Sequence, residues 1–290
     1  MPNAVEPPIE SPTRLEAAYA LLADAEGPAW RPLAGGTDLM VQVTGELGEP
    51  PERILDIWRL DELRGIAVEG DALVIGALST YTEIRNSPIV AEFVPALGEA
   101  AATIGAAQIQ NRGTIGGNAV NASPAGDTLP VLLAMGATFV LGSVAGEREV
   151  TADDFWPAYR TTARRDDELL LRIRIPLAAD RQVRFRKVGT RRAQAISKVV
   201  MALAWDAASG ESPWRQVRVA LGSMAATTVR ARGAEAVLEG ASPTRETADA
   251  AVVALTDELH PIDDVRSTAD YRRLVAGRVL HRLIRDEGGW

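Results

Sequence analysis

Two pairs of adjacent glycines, Gly35-Gly36 and Gly116-Gly117, constrain this chain more than any other feature of its sequence. Each pair follows an apolar approach and stands beside a hydroxyl residue, in the runs Leu33-Ala34-Gly35-Gly36-Thr37-Asp38-Leu39 and Thr114-Ile115-Gly116-Gly117-Asn118. Glycine tolerates positive φ and lets backbone N–H groups come close to a ligand. Successive N–H groups in such a turn form a concave nest for an anion. Two nests in one chain therefore predict a clamp for a pyrophosphate group.

Neither pair matches the GxGxxG fingerprint or the Walker A pattern with its lysine, so a conventional Rossmann site or P-loop is disfavoured. The chain has no cysteine, which excludes iron–sulfur ligation and a cysteine nucleophile of its own. His260 and His281 have no neighbouring metal-ligand pattern, and we predict no metal site. Any redox chemistry must come from a bound organic cofactor, and we predict no catalytic side chain.

Charge and apolar content limit the partners of the chain. Its 290 residues carry 31 Lys and Arg against 39 Asp and Glu, a net charge of −8, which argues against nucleic-acid binding. The stretch Met1 to Pro12 is acidic and proline-rich and does not resemble a signal peptide. No uncharged apolar run reaches the roughly 18 residues of a transmembrane helix. We expect a soluble cytoplasmic protein.

Hydrophobic periodicity predicts both helices and strands along the chain. Thr13 with Glu16 fits a capping box at the start of the first helix, and Ser87-Pro88 opens a helix that we expect to run toward Ala102. The predicted strands of the amino-terminal half are Trp30 to Ala34, Ile54 to Ile57, Ala72 to Leu78, a hairpin over Thr138 to Val150, and Leu169 to Pro176.

A composition shift at residues 177–182 predicts a domain boundary. We assign residues 1–178 to a first domain of two αβ subdomains, divided near residue 60, and residues 179–290 to a second domain. The second domain is predicted to hold an antiparallel sheet followed by three helices. Its predicted strands are Gln182 to Val188, Val199 to Asp206 and Val217 to Ala225.

The paired loops, followed by Asn121-Ala122-Ser123-Pro124-Ala125-Gly126-Asp127, resemble the FAD-binding subunits of molybdenum hydroxylases. That family includes the medium subunit of carbon monoxide dehydrogenase and the flavin domain of xanthine dehydrogenase. The chain is similar to the family's carboxy-terminal domain as well, in the same order. The segments concerned are Phe185-Arg186-Lys187, Val217-Arg218-Val219-Ala220-Leu221-Gly222 and Tyr271-Arg272-Arg273-Leu274-Val275-Ala276-Gly277.

The resemblance implies an α+β fold: a two-subdomain FAD-binding region of the PCMH type, then an antiparallel sheet packed with helices. It implies an electron-transfer flavoprotein subunit of a molybdenum hydroxylase-type complex. Electrons would pass from iron–sulfur centres on a partner chain, through noncovalently bound FAD, to a final acceptor. The implied partners are a molybdopterin-binding large subunit and an iron–sulfur small subunit.

The resemblance also implies which residues contact FAD. They are Pro32, Leu33, Ala34, Gly35, Gly36, Thr37, Asp38, Leu39, Ile104, Thr114, Ile115, Gly116, Gly117, Asn118, Asp127, Leu170, Lys187 and Ile196. Because a carboxylate and a diphosphate repel each other, Asp127 is expected to face a sugar or ribityl hydroxyl, or to cap a helix. Ile196 is expected to cover one face of the isoalloxazine. The chain departs here from the family's Asp-Ile-Ala-like triplet, having Ala195-Ile196-Ser197.

Two other functions stay open at this point. A self-sufficient FAD-dependent oxidase or dehydrogenase would act on a small organic substrate, and it would need a polar pocket over the flavin. A flavin-free scaffold protein would keep the fold without the cofactor.

Overall fold

Three β-sheets with flanking helices make up the part of the chain that the computed structural model describes, residues 7–44, 49–191, 194–207 and 212–290. The strands are β1 (Ile9–Glu10), β2 (Trp30–Leu33), β3 (Arg53–Asp56), β4 (Ile66–Glu69), β5 (Ala72–Gly76), β6 (Thr138–Ser143), β7 (Gly146–Thr151), β8 (Leu169–Pro176), β9 (Arg181–Val188), β10 (Val199–Asp206), β11 (Arg215–Gly222) and β12 (Val229–Arg230). The helices are α1 (Leu15–Ala23), α2 (Leu39–Thr44), α3 (Tyr81–Asn86), α4 (Pro88–Phe93), α5 (Pro95–Ala102), α6 (Ala107–Gln110), α7 (Ile115–Asn121), α8 (Leu129–Ala134), α9 (Ala152–Phe155), α10 (Arg232–Leu238), α11 (Arg245–Glu258) and α12 (Ala269–Gly288).

The first sheet is parallel and small, with the order β1-β3-β2. Its central strand buries Leu55, which packs with Ala18 of α1 into a core of its own. Leu169 and Leu171 of β8 belong to that same core, although β8 lies in the second sheet. Because side chains alternate along a strand, Leu170 between them points to the other side and joins the larger core.

The second sheet has the order β4-β5-β8-β6-β7, and all its strand pairs are antiparallel. Its inward side chains pack against the helices between β5 and β6, in the largest hydrophobic core of the described residues. The aromatic part of this core is Phe139, Phe155 and Trp156, with Phe139 and Phe155 stacked at 3.9 Å between ring centroids. The Trp156 indole N–H donates to the carbonyl of Ala119 at 2.9 Å, which fixes α7 on this core.

The third sheet is antiparallel, in the order β12-β11-β10-β9, and is covered on both faces. Along β10, Val200, Ala202 and Ala204 face the core shared with α5 and α8 of the first domain. The alternate residues Val199, Met201, Leu203 and Trp205 pack against α10, α11 and α12. Continuous apolar sequence in β10 thus reflects burial of a central strand from two sides.

The α+β class predicted from the sequence is confirmed. Two local predictions are wrong. Residue Arg14, not Thr13, precedes α1, and no side chain caps that helix. The helix expected from Pro88 to Ala102 is two helices, α4 and α5. The chain leaves helical geometry at Val94 (φ −141°, ψ 63°), because the residue before a proline is disfavoured in the α region.

The amino-terminal stretch Met1 to Pro12 lies partly outside the described residues. Within the described ranges, none of the helices combines the length and the apolar character needed to cross a membrane.

Candidate functional site: a cleft between two glycine loops

A cleft of about 330 Å³ lies where the two glycine-containing segments meet. We call residues 33–39 the first loop and residues 114–118 the second loop. A Cβ added to Gly117 would stand 3.9 Å from the Cβ of Ala34, and one added to Gly35 would overlap the carbonyl oxygen of Arg112. The two loops therefore converge on a shared cleft, and its volume falls in the range of about 300–1,000 Å³ that is usual for ligand pockets.

The first loop presents backbone donors to this cleft. Strand β2 ends at Leu33, whose carbonyl accepts the N–H of Ile57 at 3.0 Å. Gly36 then has φ +77°, a left-handed conformation that favours glycine. Within the described part of the chain, the amides of Gly35, Gly36 and Thr37 have no hydrogen-bond acceptor. Consecutive free amides in such a turn are suited to an anion.

The second loop differs, because its amides are already used inside the fold. Thr114 caps α7, and the loop is tied to the segment that follows β5. The four bonds are Ile115 N–H to Ser79 O at 3.0 Å, Gly116 N–H to Ala77 O at 2.9 Å, Gly117 N–H to Thr114 Oγ1 at 3.0 Å, and Asn118 N–H to Thr114 O at 3.0 Å. The prediction of a second nest of free amides is therefore wrong.

Side chains are the donors that the second loop offers instead. The Thr114 hydroxyl accepts the Gly117 amide, which leaves its own proton for another acceptor. Asn118 Oδ1 accepts the Thr128 hydroxyl at 3.2 Å, which leaves the Nδ2 group. Gly116 allows the close packing of this loop, since a Cβ there would lie 2.6 Å from the Cβ and the carbonyl oxygen of Ala77.

A third wall of the cleft comes from the turn before β8 and from the start of that strand. Leu169 and Leu170 supply apolar surface, and Arg164 supplies a cation. Burial lowers the pKa of the Arg164 guanidinium, and the nearby positive charge of Arg31 lowers it further. Arg31 lines the same cleft from the strand that leads into the first loop.

Most of the residues predicted to contact a cofactor line this cleft. They are Pro32, Leu33, Ala34, Gly35, Gly36, Thr37, Asp38, Leu39, Ile104, Thr114, Gly116, Gly117, Asn118 and Leu170. Four predicted residues are not in its lining. Ile115 is fully buried in the large core, Ile196 is 65% exposed, and Asp127 and Lys187 are buried against each other. Cofactor contact by these four stays a prediction.

Asp127 and Lys187 form an ion pair between the two predicted domains, with 2.6 Å between Asp127 Oδ2 and Lys187 Nζ. The buried Ser197 hydroxyl donates to Asp127 Oδ1, and Lys187 Nζ also donates to the carbonyl of Thr103 at 3.1 Å. Because Thr103 precedes Ile104, this network adjoins the end of the cleft that Ile104 lines. Burial raises the pKa of Asp127. The charge of Lys187 and the hydrogen bonds from Lys187 and from the hydroxyls of Ser197 and Thr103 act in the opposite direction, but the effect of burial is larger.

The alternative role for Asp127 as a helix cap is wrong. Helix α8 begins after Thr128, and no side chain accepts a hydrogen bond from its first amides. The Asp127 carboxylate is directed to Lys187 and Ser197 instead.

Sequence reasoning missed several lining residues, of which Arg31, Tyr81, Asn121 and Arg164 are polar. Tyr81 is almost fully buried and its hydroxyl lies 3.5 Å from that of Thr128; burial raises its pKa. No sequence signal marks Arg164, because it opens a run of charged residues that is typical of a solvated turn. Arg31 stands two residues before the first loop, next to Pro32, and this position was the available signal.

The lining fits an FAD molecule. Free amides in the first loop and side-chain donors in the second match the acceptors of a diphosphate, and glycine keeps the approach open. Leu169, Leu170, Ile104 and Ile109 also line the cleft and supply apolar surface for ring systems. Fold and cleft thus define a class of protein that binds an elongated ligand with a charged phosphate group at its centre.

Comparison with known proteins identifies the family. A family model described as the FAD binding domain in molybdopterin dehydrogenase matches residues 4–178, and one described as the CO dehydrogenase flavoprotein C-terminal domain matches residues 184–286. The carbon monoxide dehydrogenase medium chain of Hydrogenophaga pseudoflava is 34% identical over 279 residues, covering 94% of each chain. The nicotinate dehydrogenase FAD-subunit of Eubacterium barkeri is 34% identical over 290 residues, covering 96% of this chain and 97% of that subunit.

A solved structure agrees with these matches. It is carbon monoxide dehydrogenase from Hydrogenophaga pseudoflava lacking the Mo-pyranopterin moiety of the molybdenum cofactor, with a TM-score of 0.90, 34% identity and 96% coverage of both chains. The chain belongs to the family of FAD-binding medium subunits of molybdenum hydroxylase-type dehydrogenases. It is an oxidoreductase subunit with FAD as its cofactor, which confirms the family and the cofactor predicted from the sequence.

Proposed function

We propose that this chain is the flavin relay of a molybdenum hydroxylase-type complex. Electrons would reach it from iron–sulfur centres on a partner chain and leave for a final acceptor. The observation that carries the proposal is the cleft between the two loops, whose donors suit a diphosphate. Bound FAD takes up electrons singly and releases them singly or in pairs, so the protein has only to hold it in place.

We assign the parts of FAD to particular residues of the cleft. The free amides of Gly35, Gly36 and Thr37, together with the Thr114 hydroxyl, would bind the diphosphate. The end of the cleft at Ile104 adjoins the Asp127–Lys187 network and hence the second domain. We assign the flavin ring to that end and the adenosine to the end at Leu170. No cysteine is available for covalent attachment, and FAD is proposed to bind noncovalently.

The remaining predicted contacts fit this arrangement. Lys187 donates to the carbonyl of Thr103, the residue before Ile104. The hydroxyl of Ser197, also in the second domain, donates to Asp127, which forms the ion pair with Lys187. We propose the domain division at residues 178 and 179, which separates β8 from β9. Ile196, the residue before Ser197, is 65% exposed and would face the flavin or a partner chain.

The proposed partners are a molybdopterin-binding chain and an iron–sulfur chain, since this chain has no cysteine to hold a cluster. The cytoplasmic location expected from the sequence stays a prediction. Copurification from the native host tests the partners: a molybdopterin-containing chain and a cysteine-rich chain should accompany this one.

A single substitution tests the relay in the assembled complex. Gly36→Val places a branched side chain on a residue with φ +77°, and it should displace the free amides and abolish FAD retention. The variant complex should still form and its iron–sulfur centres should still be reduced by substrate, but transfer to the final acceptor should stop. Gly98→Ala is the matched control, because a Cβ there meets only Val90 at 3.8 Å.

Two results would contradict the proposal. Full transfer to the acceptor by a flavin-free Gly36→Val complex would remove the relay role. Steady oxidation of a small substrate by the isolated chain would favour the self-sufficient oxidase instead.

A further inference from the structure

Arg164 is a buried arginine in the cleft wall whose guanidinium is held in one orientation. Only 15% of its side chain is exposed. Its Nη1 group donates to the carbonyls of Arg165 at 2.6 Å and Glu168 at 2.8 Å, so it bridges the turn before β8. These bonds occupy Nη1, and Nη2 lies 3.9 Å from Oδ1 of the exposed Asp166 carboxylate, so Nε and the flat face of the group are left for a ligand.

A second arginine fixes the same turn from outside. Arg148 on β7 donates from Nε and Nη2 to the two carboxylate oxygens of Glu168, at 2.6 and 2.8 Å, and from Nη2 to the Ala163 carbonyl at 2.6 Å. Glu168 also accepts the amide of Arg165 at 2.7 Å. The turn is therefore fixed before any ligand arrives, and the Arg164 guanidinium loses little freedom when it binds one.

The surroundings of Arg164 suit an aromatic ring better than a phosphate. It lines the cleft beside Leu169 and Leu170, which are apolar and almost fully buried. The free amides that suit a phosphate belong to the first loop. A planar guanidinium next to apolar walls binds the face of an aromatic ring through stacking and cation–π attraction.

We propose that Arg164 binds the adenine ring of FAD and thereby makes this chain select FAD over FMN. The inference rests on the proposed function, which places the adenosine at the Leu170 end of the cleft. It assigns a specificity-determining role to a residue that the sequence pattern marks only as part of a charged turn.

Binding to the flavin-stripped full chain tests this proposal, with FAD, ADP and FMN as separate probes. Arg164→Ala should weaken FAD and ADP about 30-fold, the scale of a desolvated cation–π contact, and leave FMN within twofold. Arg164→Lys should behave like alanine, because an ammonium keeps the charge but not the planar face. Arg165→Ala is the matched control, since that side chain is 70% exposed in the same turn.

A loosened turn has to be separated from a lost contact. Glu168→Gln weakens the turn without changing the cleft lining. It should therefore reduce the affinity for FAD less than Arg164→Ala does. Thermal unfolding of each variant measures how far the turn has been loosened. Equal weakening of FMN, full affinity in Arg164→Lys, or equal losses in Glu168→Gln and Arg164→Ala would each overturn the adenine contact. A wild-type chain that binds no FAD would instead overturn the proposed function.

Discussion

The two glycine loops look alike in sequence and differ in what their backbones do. In the first loop, the amides of Gly35, Gly36 and Thr37 have no acceptor among the described residues. In the second loop, all four amides from Ile115 to Asn118 are bonded within the fold, and side chains face the cleft. The same Gly-Gly pattern thus serves ligand binding directly in one place and close packing in the other.

The difference arises from the neighbours of each loop. The first loop leaves the edge of a small parallel sheet and runs into α2, and no acceptor among the described residues takes up its amides. The second loop lies along residues 77–79, and the carbonyls of Ala77 and Ser79 take up the amides of Gly116 and Ile115. A Cβ on Gly116 would lie 2.6 Å from Ala77, which is why glycine is needed there. Four predictions break or sharpen this comparison.

The largest effect is expected at Gly35. A Cβ at this position would overlap the carbonyl oxygen of Arg112, so Gly35→Ala must push the two loops apart. We expect a loss of about 3 kcal/mol in the free energy of unfolding, the upper scale for overpacking. Chemical denaturation measures it. Gly98→Ala, with its nearest neighbour at 3.8 Å, should lose nothing, and equal stability of both variants would contradict the close contact.

Gly36→Ala should affect FAD more than folding. A Cβ there meets Leu33 Cδ1 at 3.4 Å, so there is room, but φ of +77° costs about 1 kcal/mol. Misaligned amides should weaken FAD at least about tenfold, since a hydrogen bond to a charged group is worth about 1.5–3 kcal/mol. Gly70→Ala is the control, because it has φ +62° and open space around it. Gly70→Ala should lose a similar amount of stability and keep the FAD affinity of the wild type. Equal FAD affinities in the two variants would contradict a role of the first loop in binding FAD.

Thr114→Val should affect folding and binding together. It removes the cap of α7, at about 1 kcal/mol of stability, and it removes the hydroxyl proton that we assign to the diphosphate. Thr114→Ser keeps the hydroxyl and should keep both properties close to wild type. Titration with FAD and thermal unfolding measure the two effects, and wild-type FAD affinity in Thr114→Val would contradict the side-chain role of the second loop.

The smallest effect is a pH dependence at the third wall. Burial by itself raises the pKa of Glu168, but hydrogen bonds from Arg148 and the Arg165 amide outweigh it and hold the pKa below 4.5. A carboxylate with a lowered pKa stabilises the fold above its unfolded value, and this stability is lost as the pH falls toward the folded value. The loss begins near pH 4.5, where the unfolded carboxylate takes up its proton while the folded one stays ionised. Glu168→Gln should lose this component of the pH dependence. The free energy of unfolding, measured from neutral pH to below pH 4.5, would contradict the prediction if it fell equally in the variant and in the wild type.

The sequence was sufficient for features that repeat or that carry their own chemistry. Alternation in β8 predicted that strand, and the paired glycines predicted the loops that line the cleft. It was not sufficient where distant segments decide the outcome. Nothing local shows that Ser79 and Ala77 take up the amides of the second loop, or that Arg164 turns inward.

The Asp127–Lys187 pair illustrates the same limit. Both residues were predicted to contact FAD, and 60 positions separate them, so their ion pair could not be derived from spacing. Only the packing of the second domain on α5 and α8 brings them together. The helix break at Val94 was readable from Pro95, by contrast, because the steric effect of proline is local.

Amide hydrogen exchange of the full chain, with and without FAD, tests the difference between the loops most directly. Without FAD, the amides of Gly116 and Gly117 should already exchange slowly and those of Gly35, Gly36 and Thr37 should exchange fast. Adding FAD should slow the three first-loop amides and leave the second loop nearly unchanged. Fast exchange in both loops without FAD, followed by equal protection on binding, would show that the second loop also binds through free amides and would contradict the account.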